Sequence, residues 1–323
     1  MNVLVIGCNS FSGSVFARFL KSNHVNTFGI TRDRHYQSAY LPFSEVDESK
    51  TLYVKDISCT NEILEFSRKN EITHVVNFAA QSMVDQSWTK SDLWYETNVA
   101  ALSRLSESLI TVDTLVKFIQ FSTPEVYGDM ETWQTENWNF NPSTPYAISR
   151  AAGDFHLRVL GQQKGFPVVF TRASNVFGPY QPFYRLVPKA LISAATKEQF
   201  SIEGNGNSIR SFIFMEDVAR ALFLILNHGN VLETYHISTT TAVTTIDIVN
   251  LCYGAFGLEG EQWIRFSPER IGKDFRYLLD SSKVRLELGW KEVTDLEEGI
   301  RLTAEWIDKN LASLAKLPRT YTN

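Results

Sequence analysis

The chain alternates between short apolar runs and longer segments that carry apolar residues at helical spacing. The short runs are rich in β-branched and aromatic residues, and they predict buried strands at 3–6, 27–30, 52–54, 74–78, 116–121 and 167–171. The helical spacing predicts helices at 14–21, 61–69, 93–110 and 146–163. Such alternation is typical of right-handed βαβ units, so it predicts an α/β fold with a doubly wound parallel sheet.

The regular alternation ends at about residue 175. Gly178-Pro179 and Gly204-Asn205-Gly206 interrupt the pattern, and the predicted elements that follow are short and mixed. We therefore expect residues 1–175 to form the doubly wound domain, with segments at about 211–240 returning to it. Residues 176–323 are expected to form mainly a smaller, mixed α/β lobe.

Composition narrows the function classes. Hydrophobic residues make up 44% of the 323 positions, enough for a substantial core, and the net charge of −5 provides no basic stripe for nucleic acid. The scattered Cys8, Cys59 and Cys252 suggest neither a disulfide framework nor a metal site. Met1 leads directly into an apolar strand without a basic leader, and no apolar stretch is long enough for a membrane span. We expect a cytoplasmic protein with no membrane partner.

A glycine turn, IGCNSFSG, follows the first predicted strand. Gly7 and Gly13 occupy the outer positions of a G-x-x-G-x-x-G pattern, and Ser10 occupies the middle position. The outer glycines allow a tight turn, and the N–H groups at the start of the helix can bind a pyrophosphate. The pattern favours a Rossmann-like dinucleotide site, although a turn that binds no ligand has the same glycines.

The end of the second strand bears on the choice of dinucleotide. Gly29-Ile30-Thr31-Arg32 has no carboxylate for a ribose 2′-hydroxyl, and Arg32 is placed to meet a 2′-phosphate. Asp33 lies one residue further along and would contact the ribose 2′-hydroxyl only if the strand were longer. This favours NADP, with NAD as the alternative cofactor; a solvated turn residue is the other interpretation of Arg32.

A polar cluster, STPEVYG at 122–128, follows the fifth strand, and Tyr146 and Arg150 come four residues apart at the start of the next helix. That spacing places the phenol and the cation on one helix face, where the positive charge stabilises a phenolate. A phenolate can take a hydroxyl proton while hydride leaves the same carbon. A Tyr-x-x-x-Arg pair that occurs alone is usually an ordinary pair on a helix surface. Here it accompanies the glycine turn and the polar cluster after the fifth strand, and this combination indicates a reaction centre.

Together these motifs resemble the extended short-chain dehydrogenase/reductase family and, within it, the nucleotide-sugar 4,6-dehydratases. The resemblance covers nearly the whole chain. Besides the segments above, it is carried by Asp56-Ile57, NFAAQSMVDQS (77–87), ETN (96–98), TPYAISR (144–150), RASNVFGPYQ (172–181), GNGNSIRSFIFMEDVARA (204–221) and RIGKDFRYLLDSSKVRLELGW (270–290).

The resemblance implies roles for particular residues. The catalytic residues would be Thr123, Glu125, Tyr146 and Arg150. The dinucleotide would contact Gly7, Ser10, Phe11, Gly13, Thr31, Arg32, Asp56, Ile57, Ala79, Ala80, Gln81, Asn98, Tyr146 and Arg150. The nucleotide diphosphate sugar would contact Ser82, Asn175, Arg185, Arg210, His236 and Arg276. For His236, a satisfied core histidine is the alternative.

The resemblance also implies a homodimer through a four-helix interface, to which the helices at 93–110 and 146–163 would contribute. Three residues depart from the family pattern: Ser10 replaces the central glycine, Arg150 replaces a lysine, and Pro124 replaces the acid of the dTDP-glucose branch. The GDP-mannose branch has serine at the place of Pro124, and its second strand also ends in Gly-Ile-x-Arg.

The implied reaction is a 4,6-dehydration with internal hydride transfer. Tyr146, helped by Thr123, would take the 4-hydroxyl proton, and Glu125 would take the C5 proton. Because Pro124 is no acid, Glu125 would also return its proton to the leaving C6 oxygen in a syn elimination. Two alternatives remain: an epimerase or 4-ketoreductase of nucleotide sugars, and a dinucleotide-binding sensor without chemistry.

Overall fold

The main sheet is parallel and lies at the centre of the molecule. The structure, a computed structural model, describes residues 1–32, 47–269, 272 and 274–319. Within these residues the sheet has seven strands, in the spatial order β11 (Thr234–Ile237), β6 (Val168–Ala173), β5 (Lys117–Ser122), β4 (His74–Asn77), β1 (Asn2–Ile6), β2 (Asn26–Thr31) and β3 (Thr51–Tyr53). The chain winds outwards in both directions from β1 and β4, so the predicted Rossmann-like, doubly wound fold is confirmed.

The strands form where the apolar runs predicted them. All six predicted strands are present, with ends that differ by at most two residues from the prediction. Val3, Leu4, Val5 and Ile6 of β1 have no solvent exposure, because helices cover both faces of the sheet.

Helices pack on the two faces of the sheet. One face carries α1 (Phe11–Ser22), α7 (Met215–His228) and α9 (Ser282–Leu288). The other carries α2 (Thr60–Lys69), α3 (Ser91–Tyr95), α4 (Leu102–Leu109) and α5 (Pro145–Lys164). A π-helical segment, Glu96–Ala101, joins α3 to α4, so the helix predicted at 93–110 is continuous but not α-helical throughout.

The second lobe has its own apolar core between α6 (Leu186–Ala195), α8 (Thr245–Gly254) and α10 (Leu296–Leu314). Small sheets surround this core. β7 (Asn175–Phe177) pairs with β10 (Phe212–Phe214), β8 (Phe200–Glu203) with β13 (Ile264–Ser267), and β9 (Ile209–Arg210) with β12 (Val243–Thr244) and β14 (Arg276–Tyr277). In the sequence between β10 and β12, the chain returns to the main sheet: α7 packs on one face of it and β11 forms its edge strand.

Within the described part of the chain, no helix has the length and apolar composition needed to cross a membrane. In the same residues, no three His, Cys, Asp or Glu side chains are grouped as metal ligands.

A buried ion pair joins the elements behind the carboxyl edge of the sheet. Asp154 of α5 and Arg172 of β6 have no solvent exposure, and their side chains lie 3.0 Å apart. The same carboxylate oxygen accepts a hydrogen bond of 2.7 Å from Ser122, the last residue of β5. Arg172 also donates to the Tyr127 hydroxyl at 3.2 Å, and Tyr127 is hydrogen-bonded to His236 of β11. One network therefore spans α5, β5, β6 and β11.

We expect Arg172→Met to destabilise the protein strongly, because it leaves the Asp154 carboxylate buried without its cation. The free energy of unfolding should fall by about 3–5 kcal/mol, measured by urea denaturation followed by circular dichroism. The control is Arg301→Ala, which removes a cation from an exposed pair with Glu298 on α10 and should have little effect. Similar losses of unfolding free energy in the two variants would show that burial of the Asp154–Arg172 pair does not cause the destabilisation.

Candidate active site

A cleft of about 920 Å³ runs along the carboxyl edge of the main sheet, between the sheet and the second lobe. Parallel strands all end at this edge, which is where ligands bind in doubly wound folds. The cleft is lined by the β1–α1 turn, by the ends of β2, β4 and β5, by the start of α5 and by segments of the second lobe. Most residues predicted for the site come from these segments.

The β1–α1 turn is as tight as its glycines predict. Gly7 has φ +81°, and a Cβ on Gly13 would lie 2.2 Å from the Gly7 carbonyl oxygen. Ser10 is the N-cap of α1, and its hydroxyl accepts a hydrogen bond of 3.1 Å from the Gly13 N–H. The capping role of Ser10 was missed from the sequence, although serine at the start of a helix is its ordinary signal. Ser10 and Phe11 line the cleft, and the two glycines shape the turn behind them.

The ends of β2 and β3 present two cations to the cleft. Both Arg32 and Lys55 line the cleft, and no motif in the sequence marks Lys55. Thr31 is buried, and Asp56 accepts hydrogen bonds from the backbone N–H and the hydroxyl of Ser58, which lower the pKa of Asp56. Thr31, Asp56 and Ile57 are not among the lining residues. Asp33, and Arg270, Ile271 and Lys273 of the tail motif, lie outside the described residues.

Asn98 holds the segment that follows β4. Its side-chain oxygen accepts from the Gln81 N–H at 2.9 Å, and its NH₂ group donates to the Gln81 carbonyl and to the Ser149 hydroxyl. The Asn98 side chain is nearly fully buried, so it positions the backbone around Ala80 rather than lining the cleft. Ala80 does line the cleft, whereas Ala79 and Gln81 do not.

The polar cluster after β5 forms a 3₁₀ turn, Pro124–Tyr127. Thr123 is its N-cap, and the Thr123 hydroxyl accepts from the Glu125 N–H at 3.3 Å. Pro124 takes the first position of the turn, where a missing N–H leaves no hydrogen bond unmade. The proline therefore fixes the backbone that carries Thr123 and Glu125, and all three residues line the cleft.

Tyr146 reaches the same part of the cleft from the start of α5. Thr144 caps this helix by accepting from the Ala147 N–H at 3.1 Å. Burial raises the pKa of the Tyr146 hydroxyl and the negative charge of Glu125 adds to the rise, whereas the Arg150 cation and a hydrogen bond with Thr123 lower that pKa. The structure thus brings the four residues predicted as catalytic together.

Arg150 is held at the end of β5. Its guanidinium donates a hydrogen bond to the Phe121 carbonyl oxygen, one helical turn along α5 from Tyr146. The side chain is only 4% exposed, so its position depends on packing as well as on this bond. A cation is therefore fixed beside the phenol at the place where the family has lysine.

Two arginines of the second lobe face the catalytic residues. Arg185 donates to the Ser82 hydroxyl at 3.1 Å, and both residues line the cleft together with Asn175. Arg210 also lines the cleft; its guanidinium donates to the Phe275 carbonyl at 2.8 Å and lies 4.2 Å from the centre of the Tyr277 ring. Both arginines therefore lie in the cleft, and their contacts with a nucleotide sugar stay a prediction.

The structure does not support two of the predicted substrate contacts. His236 is fully buried and is hydrogen-bonded to the Tyr127 hydroxyl at 2.8 Å; burial lowers the pKa of His236 to about 3. It is a neutral core histidine. Arg276 donates to the Glu131 carbonyl outside the cleft, and its neighbour Tyr277 lines the cleft instead. Adjacent strand residues point to opposite sides, and β14 is too short for sequence periodicity to show which one faces inward.

Comparison with known proteins identifies the family. The family model described as GDP-mannose 4,6 dehydratase matches residues 4–303. The chain belongs to this family. The predicted resemblance is confirmed, and so is the predicted enzyme class, a nucleotide-sugar dehydratase that depends on a nicotinamide dinucleotide.

Curated relatives and solved structures agree with this assignment. The dTDP-glucose 4,6-dehydratase of Haemophilus influenzae is 32% identical over 337 residues, which cover 97% of this chain and 99% of that protein. A trifunctional UDP-glucose 4,6-dehydratase of Arabidopsis thaliana is also 32% identical. The match covers 96% of this chain but 47% of that protein, so the chain spans about half the length of that relative. The crystal structure of the dTDP-glucose 4,6-dehydratase DesIV from Streptomyces venezuelae, with NAD and TDP bound, has a TM-score of 0.88 at 27% identity and covers 97% of this chain and 98% of that one.

In this dehydratase-family chain, Arg150→Ala should raise the pKa of Tyr146, because a cation that lowers it is removed. With Tyr146 as the predicted base the phenolate is the active form, so the profile of kcat/KM against pH should move to higher pH. We expect about a tenfold loss of kcat/KM at neutral pH, the loss that follows when the pKa of the base rises by about one pH unit. Arg150→Lys should restore much of the activity.

The control is Arg158→Ala, which removes a cation of α5 that stacks on Trp138 away from the cleft. It should leave the pH profile in place. An unshifted profile in Arg150→Ala would show that this cation does not act on Tyr146.

Proposed function

We propose that the chain converts a nucleotide diphosphate hexose into the corresponding 4-keto-6-deoxy sugar, with a bound nicotinamide dinucleotide, preferentially NADP, as internal hydride carrier. The observation that carries the proposal is the convergence of Thr123, Glu125 and Tyr146 in one cleft between the dinucleotide-binding turn and the arginines of the second lobe. The family and the relatives named above support it.

The residues at the β1–α1 turn fit a dinucleotide. The close approach of Gly13 to Gly7 leaves no room for a side chain, and the N-terminus of α1 faces the cleft beside Ser10 and Phe11. DesIV, which has the same fold, was solved with NAD. We assign residues 1–175, with the segments returning at about 211–240, to dinucleotide binding, and residues 176–323 mainly to substrate binding.

Tyr146 is the base for the first step. It takes the proton of the sugar 4-hydroxyl, and the Arg150 cation and the Thr123 hydroxyl stabilise the phenolate that does so. When bound, the dinucleotide supplies a reversible hydride acceptor. Arg185 and Arg210 hold the diphosphate, because guanidinium groups match the geometry of phosphate oxygens.

Glu125 acts at C5 and C6 of the sugar. It takes the C5 proton, which the adjacent 4-ketone makes acidic. The protonated Glu125 then gives that proton to the C6 oxygen, the C6–O bond breaks, and water leaves with a C5–C6 double bond formed. Pro124 offers no acid for this step, so one carboxyl group serves as base and then as acid. The product then needs a hydride at C6, which the dinucleotide would return when bound, and a proton at C5, which solvent supplies.

Pro124 is also the specific reason to retain a second candidate, an epimerase or 4-ketoreductase of nucleotide sugars. These reactions use Tyr146 and Thr123 but need no loss of water from C6. They would produce no 4-keto-6-deoxy sugar, and this difference in product separates them from the dehydratase.

The test is incubation of the protein with GDP-, UDP-, dTDP- and CDP-hexoses in deuterated buffer, with product analysis by NMR and mass spectrometry. We expect one nucleotide sugar to yield a 4-keto-6-deoxy product with solvent deuterium at C5. Glu125→Gln should keep dinucleotide binding but abolish both signals, because the amide is not a base. Glu131→Gln, which changes a carboxylate outside the cleft, is the matched control.

An epimerised or reduced sugar without loss of water would support the second candidate. Absence of any product from the whole panel would support a dinucleotide-binding protein without chemistry. Deuterium at C5 at the wild-type rate in Glu125→Gln would remove Glu125 from its assigned role.

We further propose that the protein is a homodimer through α3 and α5. Exposed apolar side chains follow the outer surface of these helices: Leu93, Tyr95, Ile148, Phe155 and Val159. Ile148, Phe155 and Val159 recur at helical spacing and form one stripe, which a second copy would bury.

Val159→Lys should therefore convert a dimer into a monomer, because it places a charge in the proposed interface. The measurement is sedimentation velocity of the wild type and the variant at the same concentration. Leu286→Lys on α9, where the leucine is 84% exposed, is the control and should leave the mass unchanged. A wild-type monomer, or a Val159→Lys dimer, would contradict the proposed interface.

A further inference from the structure

Two cationic residues, Arg32 and Lys55, follow the carboxyl ends of the neighbouring strands β2 and β3, beside the β1–α1 turn. The N–H groups of Gly7 and Cys8 donate to the Ile30 carbonyl, so the turn packs against the end of β2, two residues before Arg32. Thr31 pairs with Tyr53 in the sheet, and the Val54 N–H donates to the Thr31 carbonyl at 3.0 Å. Arg32 and Lys55 therefore follow neighbouring strands at the same edge, and both line the cleft.

We propose that Lys55 and Arg32 together form the site for the 2′-phosphate of NADP, and that Lys55 is a determinant of the preference for NADP over NAD. This inference rests on the dinucleotide binding that the proposed function requires. It adds a residue and a specificity that neither the glycine turn nor Arg32 provides alone.

Neither cation forms an ion pair or a side-chain hydrogen bond within the described residues, and both are exposed. The Lys55 charge helps to lower the pKa of the neighbouring Asp56 carboxylate, which does not line the cleft. The other arginines of the cleft are already bonded: Arg150 to the Phe121 carbonyl and Arg185 to Ser82. An anion bound between Arg32 and Lys55 would be stabilised by both charges.

Among the described residues, the carboxylate nearest to this edge does not line the cleft. It belongs to Asp56, and one of its oxygens accepts both hydrogen bonds from Ser58. Arg32 and Lys55 are therefore the described charged side chains that line the cleft at the ends of β2 and β3. This edge is equipped for an anion rather than for a neutral diol.

The ligand chemistry follows from the two side chains. A phosphate monoester carries a charge of about −1.5 to −2 at neutral pH and has three acceptor oxygens. The guanidinium of Arg32 can bind two of these oxygens as a planar fork, and the Lys55 ammonium adds a mobile point charge. NAD has only a hydroxyl at this position and gains nothing from either cation.

The experiment measures the Kd of NADPH and of NADH by titration of the nicotinamide fluorescence, without sugar. We expect Lys55→Gln to raise the Kd of NADPH about fivefold, the effect of one exposed ion pair, with the Kd of NADH unchanged. Arg32→Gln should raise the Kd of NADPH by about tenfold or more, and the double variant should bind the two dinucleotides alike. In the wild type, the preference for NADPH should decrease as the pH falls below about 6, where the phosphate gains a proton.

Lys50→Gln is the matched control. Lys50 precedes β3 at the opposite edge of the sheet, and its ammonium donates to Asn26 at 2.7 Å. This variant removes the same charge from the protein and should leave both Kd values unchanged. Equal increases for NADPH and NADH in Lys55→Gln, or equal effects of Lys50→Gln and Lys55→Gln, would overturn the proposal.

Competition identifies the group that is recognised. Adenosine 2′,5′-bisphosphate should displace NADPH more strongly than AMP does, and Lys55→Gln should remove most of that difference. A difference that Lys55→Gln leaves intact would overturn the role of Lys55. Because no sugar is present, a failed sugar panel with the expected NADPH titration would reject only the reaction. If product forms but the ratio of the Kd values for NADPH and NADH is the same in the wild type and in Lys55→Gln, only this site is rejected.

Discussion

The ion pair of Asp154 and Arg172 is the interaction on which the geometry of the cleft depends. Burial of both charges is unfavourable by several kcal/mol before their attraction and hydrogen bonds offset it. The offset requires that α5, β5 and β6 meet in one arrangement, since Ser122 and Arg172 share one carboxylate oxygen. The same α5 carries Tyr146, and β5 leads into Glu125. The pair therefore helps to hold the helix that carries Tyr146 against the strand that leads into Glu125, the two residues proposed to act on one sugar.

The cleft differs in charge from the rest of the molecule. The whole chain has a net charge of −5, yet Arg32 and Lys55 line one part of the cleft, and Arg185 and Arg210 line the part formed with the second lobe. Both proposed ligands are anions that carry a diphosphate. A basic cleft in an acidic protein attracts such ligands while the outer surface repels them, which favours entry in the right place.

Much of the fold and the placement of Thr123, Glu125, Tyr146 and Arg150 in one cleft could be predicted from the sequence, because local patterns carry the information. Apolar runs such as 3–6 specify buried strands, and the four-residue spacing of Tyr146 and Arg150 places them on one helix face. Other features depend on distant parts of the chain. His236 lies in the core because it meets Tyr127, and Asn98 clamps the backbone of Gln81; no local pattern shows either contact. The place of Lys55 in the cleft was missed because Lys55 follows a short strand, β3, and reaches the cleft through the pairing of that strand with β2.

The bond between Arg150 and the Phe121 carbonyl has a consequence for proton movement in the cleft. A guanidinium does not release a proton at any pH at which the protein is folded, so position 150 cannot pass protons between Tyr146 and water. Proton exchange between Tyr146 and solvent therefore has to use other groups of the cleft. Position 150 contributes a charge that stays constant, so the ionisation that this pair adds to a pH profile is that of the phenol.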